Sequence, residues 1–227
     1  MSEHEAQSFE QTSEGEVPVK GFLHVPANPS GDGLVLTHGA GANCQSPLLA
    51  ALADAFCQSG VTVLRCDLPF RQTRPHGPPP RGSAEHDQRG LQLAVQAMRQ
   101  QVSGQVFLGG HSYGGRQATI LAAANPGLAD SLLLLSYPLH PPKRPDQPRT
   151  SHFPELHTPA LFVRGSRDGF GSIEEMTAAL KLIPAQTELL TIEHAGHELA
   201  SPRTMQDVTA AIVEAFQAHC SRSSDPI

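Results

Sequence analysis

Ser112, Asp168 and His197 are the residues whose types and order in this chain could carry nucleophilic chemistry. A serine hydroxyl is a poor nucleophile until a histidine takes its proton, and that histidine needs an acid on its other nitrogen to fix tautomer and orientation. Ser112 stands in Leu108-Gly109-Gly110-His111-Ser112-Tyr113-Gly114-Gly115, where Gly110-x-Ser112-x-Gly114 fits a sharp strand-to-helix bend that presents a serine hydroxyl. Asp168 lies in Gly165-Ser166-Arg167-Asp168-Gly169 and His197 in Ala195-Gly196-His197-Glu198. Each position has a competitor. Asp168 could be only a turn former, and Asp67, at another strand end, is a second candidate acid. His194 lies close to His197, while His38 and His111 flank the same region and read as structural hydrogen-bonding groups.

The elements that must position these residues alternate along the chain. Val17 to Val25 reads as an edge strand, Leu34 to Thr37 and Val61 to Cys66 as short apolar strands, and Pro47 to about Gln58 as a helix opened by proline and stopped by Gly60. A helix begins near Ala84 and carries Leu91, Ala94, Val95 and Met98 at helical spacing. The serine strand and its helix follow, then strands at Ser131–Ser136, Ala160–Arg164 and Glu188–Ile192, with helices at about 172–182 and 202–219. Such alternation gives a doubly wound, mostly parallel sheet with helices on both faces, its ligands lying beyond the carboxyl ends of the strands. The expected organisation is an unstructured N-terminus over 1–15, a single α/β domain over 16–220 and a flexible tail over 221–227.

Composition narrows the function class. The net charge of −6 argues against a general nucleic-acid binder, which presents a basic face to phosphates. No apolar run approaches the roughly 20 residues that span a bilayer, and the acidic start Met1-Ser2-Glu3-His4-Glu5 lacks the features of a signal peptide. Cys44, Cys57, Cys66 and Cys220 show neither close pairing nor metal-ligand spacing, so free thiols in a cytoplasmic protein are expected, with no metal and no cofactor. Oligomeric state is open.

Three motifs together resemble the α/β-hydrolase superfamily over roughly residues 17 to 220. They are His38-Gly39-Ala40-Gly41 after an early strand, the Gly110-to-Gly114 bend, and Gly196-His197 after the last strand. The chain is most similar to compact, capless dienelactone-hydrolase-like members and to the testis-expressed-protein-30-like branch. The resemblance implies Ser112 as nucleophile, His197 as general base and then acid, and Asp168 as orienting carboxylate. It also implies an oxyanion hole from the backbone N–H groups of Tyr113 and Ala40, with Gly41 as second-choice donor. The first antiparallel hairpin of larger members is expected to be missing, and the site to be covered by loops alone.

Two long proline-rich stretches, Asp67 to Ser83 and Tyr137 to Thr158, are the expected covers. Six of the sixteen basic residues fall in them, among them Arg71, Arg74, Lys143 and Arg144 as candidates for a substrate rim that attracts an anion; the alternative is that these side chains are merely solvated. The leading functional expectation is a serine hydrolase of a small-molecule ester or thioester. Transfer of the acyl group to another acceptor, or a catalytically silent interaction module on the same fold, are the other readings.

Overall fold

The computed structural model describes residues 6–223. Eight strands form one sheet: β1 (Gln7–Gln11), β2 (Val19–His24), β3 (Gly33–Thr37), β4 (Thr62–Cys66), β5 (Val106–His111), β6 (Leu132–Leu135), β7 (Ala160–Gly165) and β8 (Thr187–Ile192). Their spatial order is β1-β2-β4-β3-β5-β6-β7-β8, antiparallel at β1–β2 and β2–β4 and parallel from β4 onward. Six α-helices accompany them: α1 (Pro47–Gln58), α2 (Pro69–Thr73), α3 (Ala84–Arg99), α4 (Tyr113–Ala124), α5 (Ile173–Leu180) and α6 (Met205–Ser223).

The period-2 geometry of the strands sorts their side chains into two cores. Val35 and Leu64 face one side, where they meet Leu91, Ala94 and Met98 of α3, Ala118 of α4 and Met176 of α5. Leu34, Leu36 and Val63 face the other, against Leu49, Leu52 and Phe56 of α1 and Ile212 and Phe216 of α6. The central strands are buried on both faces, which is why they read as largely apolar runs.

Several expectations are corrected here. The segment 1–15 is not without structure: Gln7–Gln11 pairs antiparallel with β2, so Val19–His24 is not the edge strand and the chain does have an N-terminal antiparallel hairpin. Phe9 packs against the core and Lys20 pairs with Glu10, contacts a polar-looking segment acquires only when its partner strand is in place. At the other end α6 runs on through 221–223; residues 1–5 and 224–227 lie outside the described residues. The first proline-rich stretch also contains α2, opened by Pro69 at its first turn, and the second a short 3-10 turn at Phe153–Glu155. No helical cap is inserted anywhere between the strands, and among the described residues no helix is long and apolar enough to cross a membrane.

Candidate active site

Ser112 sits between β5 and α4 with φ +50° and ψ −112°, a conformation an L-residue holds only when its surroundings enforce it. The enforcement is visible. Its N–H donates to Leu135 O at 2.8 Å, and its carbonyl accepts from Arg116 N–H at 3.0 Å, closing the first turn of α4. The flanking glycines allow the close packing this requires: a Cβ at Gly114 would lie 2.6 Å from His38 O, and one at Gly110 would lie 2.6 Å from the Gly114 carbonyl carbon.

The fold brings the three separated residues together. Ser112 Oγ is 2.8 Å from His197 Nε2, and His197 Nδ1 is 3.0 Å from Asp168 Oδ2. With the carboxylate accepting from Nδ1–H, Nε2 is left with its lone pair facing the serine hydroxyl. Asp168, on the turn after β7, has a fully buried side chain. Burial alone would raise its carboxyl. The hydrogen bonds from His197 and the Phe170 N–H, with the charges of His197 and Arg164, outweigh burial and hold it below the usual carboxylate range.

Several residues that sequence patterning did not single out hold this arrangement. Arg164, buried inside β7, lies 3.8 Å from Asp168 Oδ2 and donates to Tyr137 O at 2.8 Å and to Gly171 O. The ring of Phe170 lies over His197, centroids 4.3 Å apart. Ser136, just beyond β6, is fully buried and hydrogen-bonds to the His197 carbonyl. A guanidinium within an apolar strand was a usable signal for Arg164; nothing local distinguished Ser136 or Phe170.

The competing candidates sit elsewhere. Asp67 Oδ1 accepts from Cys44 N–H at 2.7 Å and faces the HGAG loop rather than His197. His38 donates through Nδ1 to Gly39 O, and its Nε2 accepts from Leu68 N–H at 3.1 Å, so it has no proton to offer Asp67, 3.4 Å away. Burial keeps His38 and His111 below the ordinary histidine range, hence neutral, and His111 Nε2–H donates to His197 O at 2.9 Å. His194 is exposed, 3.3 Å from Arg167. Burial pushes the Cys44 thiol up to about 12 and that of Cys66 up as well, so neither is a thiolate near neutrality.

Ala40 and Gly41 follow β3 and lie in the loop that packs on the bend. Among the described residues the N–H groups of Ala40, Gly41 and Tyr113 donate to no other protein group. The Tyr113 side chain points away, donating its hydroxyl at 2.7 Å to buried Asp87, which also accepts from Phe70 N–H and Ser83. Asp87 lies four residues before Leu91 on the buried face of α3, a signal available in the sequence.

Of the four rim candidates, Arg74, Lys143 and Arg144 are exposed on the covers, but Arg71 is not on a rim. It is buried, stacked over Phe70, and its guanidinium donates to Arg74 O at 2.8 Å, Ala40 O at 2.7 Å and Gly77 O at 2.9 Å. The planar fork suits three carbonyls converging on one point, and none of them requires a charged ligand. A cavity of about 470 Å³ opens beside Gly41, lined also by Asn43, Gln45, Pro75 and His76. Among the described residues no cluster of His, Cys, Asp and Glu could hold a metal ion.

Comparison with known proteins bears on this architecture. Residues 31–224 match the family described as the alpha/beta hydrolase domain. Among solved structures, Est1E from Butyrivibrio proteoclasticus is similar at 16% identity and TM-score 0.74, covering 94% of this chain and 99% of its own. A dienelactone hydrolase from Anabaena variabilis is similar at 23% identity and TM-score 0.71, covering 95% and 99%. An α/β serine hydrolase without lid from Xanthomonas campestris is similar at 17% identity and TM-score 0.72, covering 94% of both chains. At such identities the likeness to these structures carries the fold, and the family match covers most of the chain: this protein belongs to the alpha/beta hydrolase family, as a compact member with no cap over its sheet.

Proposed function

We propose that the protein is a serine hydrolase that cleaves a small-molecule ester or thioester through an acyl-enzyme on Ser112. The observation that carries this reading is the unbroken chain from Ser112 Oγ to His197 at 2.8 Å and on to the sealed carboxylate of Asp168 at 3.0 Å. His197 Nε2 takes the hydroxyl proton as Oγ bonds to the substrate carbonyl carbon, and the carbonyl oxygen becomes an oxyanion. The free N–H groups of Tyr113 and Ala40, with Gly41 as the second choice in the same loop, are the donors for that oxygen. On collapse the alcohol or thiol leaves with the proton held by His197. Water then attacks the acyl-enzyme, gives its proton to His197, and the acid departs as that proton returns to Oγ.

Asp168 never takes the proton in this scheme; its ionised form fixes the tautomer and stabilises the imidazolium. The dienelactone hydrolase and the lidless serine hydrolase among the similar structures support a hydrolytic reading, and the absence of a cap supports access for small acyl groups. The test is intact-protein mass spectrometry after treatment with an alkyl fluorophosphonate. A single adduct on the wild type that is lost in Ser112→Ala and His197→Ala is expected. Folded wild type that takes up no reagent would sink the proposal and favour an interaction module.

A further inference from the structure

Phe170 stands on the turn after β7, half-buried, and its ring lies over the imidazole of His197 with centroids 4.3 Å apart and planes tilted by 33°. That ring joins neither of the two apolar cores, so core packing does not account for an aromatic residue there. The geometry differs from that of the phenylalanines packed on Phe216. Phe56 and Phe107 meet Phe216 edge-on, at 87° and 89°, the arrangement neutral rings favour because a positive edge meets a negative face. Over His197 the phenyl ring turns its negative face instead, the orientation that suits a cation.

The backbone fixes the ring from both sides. Phe170 N–H donates to Asp168 Oδ1 at 2.9 Å, and the Phe170 carbonyl accepts at 3.2 Å from the N–H of His140 on the second cover. Gly171 follows at φ +137°, and a Cβ there would lie 3.1 Å from that of Leu139, so the turn packs tightly on the same cover. The carboxylate that orients the base thus also orients the ring above it. Asp168 meets His197 in the plane of the imidazole, at 3.0 Å from Nδ1, whereas Phe170 meets it from the face. The ring of His111, 5.2 Å from that of His197, is kept neutral by burial and brings no second charge.

We propose that Phe170 is a positioning residue that acts through the base: its π face stabilises the imidazolium that His197 becomes on taking the Ser112 proton. This rests on the hydrolase reading of Ser112 and adds to it a further residue. A neutral imidazole gains little from the face of a phenyl ring, while an imidazolium spreads its charge over the atoms that the ring covers. An interaction that strengthens only as the proton moves lowers the barrier without tightening the ground state.

The experiment replaces Phe170 by phenylalanines carrying one, two and three ring fluorines, introduced by stop-codon suppression. It follows the rate constant for labelling of Ser112 by a neutral alkyl fluorophosphonate, at a pH well above the ordinary histidine range. Labelling forms the Oγ–P bond, expels fluoride and passes the serine proton to His197, so it reads the same imidazolium. Fluorine withdraws charge from the ring face at nearly constant shape. The logarithm of the rate constant is expected to fall in steps along the series, by about threefold to tenfold in all. Phe170→Leu should be slowed by at least as much, and Phe170→Tyr should stay close to wild type. The rate constant, unlike the final extent of labelling, does not depend on how much of a variant has folded. A flat or rising fluorine series would overturn the proposal and limit Phe170 to packing, while leaving the activated serine established. Wild type that takes no label would remove the hydrolase reading and this role together.

Discussion

The Ser136 hydroxyl donates to the carbonyl oxygen of His197 at 2.7 Å, from a backbone held at φ +48°. The same oxygen accepts from His111 Nε2 at 2.9 Å. The loop that bears the proposed base is therefore held by the residues ending β5 and following β6, and β5 is the strand that delivers Ser112.

Ser136→Ala removes one of the two donors to that oxygen. It is expected to lower stability by roughly 1 kcal/mol and kcat by about threefold to tenfold with little change in KM. Urea unfolding alongside steady-state kinetics checks this. A full kcat in a destabilised variant would limit Ser136 to packing.

Asp168 and Asp67 are separable by the same conservative change. Asp168→Asn should cost about 10²–10⁴ in kcat, because the amide no longer holds the required tautomer of His197. Asp67→Asn keeps an oxygen for the Cys44 N–H and should cost less than about tenfold. The reverse order of effects would assign the acid to Asp67.

Arg71→Lys preserves charge but replaces a rigid fork with a single ammonium, which cannot span the carbonyls of Ala40, Arg74 and Gly77. A loss of about 1–2 kcal/mol in thermal unfolding is expected, with kcat reduced because Ala40 belongs to the proposed oxyanion loop. A lysine variant as stable and as active as wild type would show that the loop holds itself.

His152 makes stability depend on pH. An ordinary histidine titrates near 6.5, and in the fold burial, and then the Arg116 charge, hold His152, bonded to Thr119 at 2.8 Å, down to about 4. Between these values the unfolded chain binds a proton that the native one does not, so the contribution is full above about 6.5 and fades as pH falls toward 4. His152→Gln keeps a donor for Thr119, and should flatten the fall in urea midpoint between pH 7 and 4.5 relative to wild type. Parallel pH curves for the two proteins would contradict it.

Much of this architecture was legible because parallel strands buried on both faces leave apolar runs such as Leu132–Leu135, and because Gly110-x-Ser112-x-Gly114 joins a strand to a helix. The separations among Ser112, Asp168 and His197 were unreadable in themselves, but each lies in a loop at a strand's carboxyl end, and one sheet brings those ends together. Strand β1 escaped notice since Gln7–Gln11 is polar and exposed along most of its length; its structure comes from pairing, which composition does not reveal. Arg71 was misplaced for a related reason. An arginine in a proline-rich stretch reads as solvated until three backbone carbonyls, two of them within six residues, converge on it.

Ser112, Ser136, Asp168 and His197 hang from four neighbouring strands, β5 to β8, whose pairings run through Leu135 with Val163 and Gly165 with Ile192. A slip of one residue in any of these ladders displaces a loop by about 3.3 Å and turns its side chains to the opposite face. Contacts of 2.8 and 3.0 Å do not survive such a displacement. The proposed nucleophile is thus a gauge of strand alignment, and titrating Ser112 with a fluorophosphonate through a refolding reaction would count the chains whose sheet has closed in register, separating them from compact molecules with equal strand content and the wrong pairing.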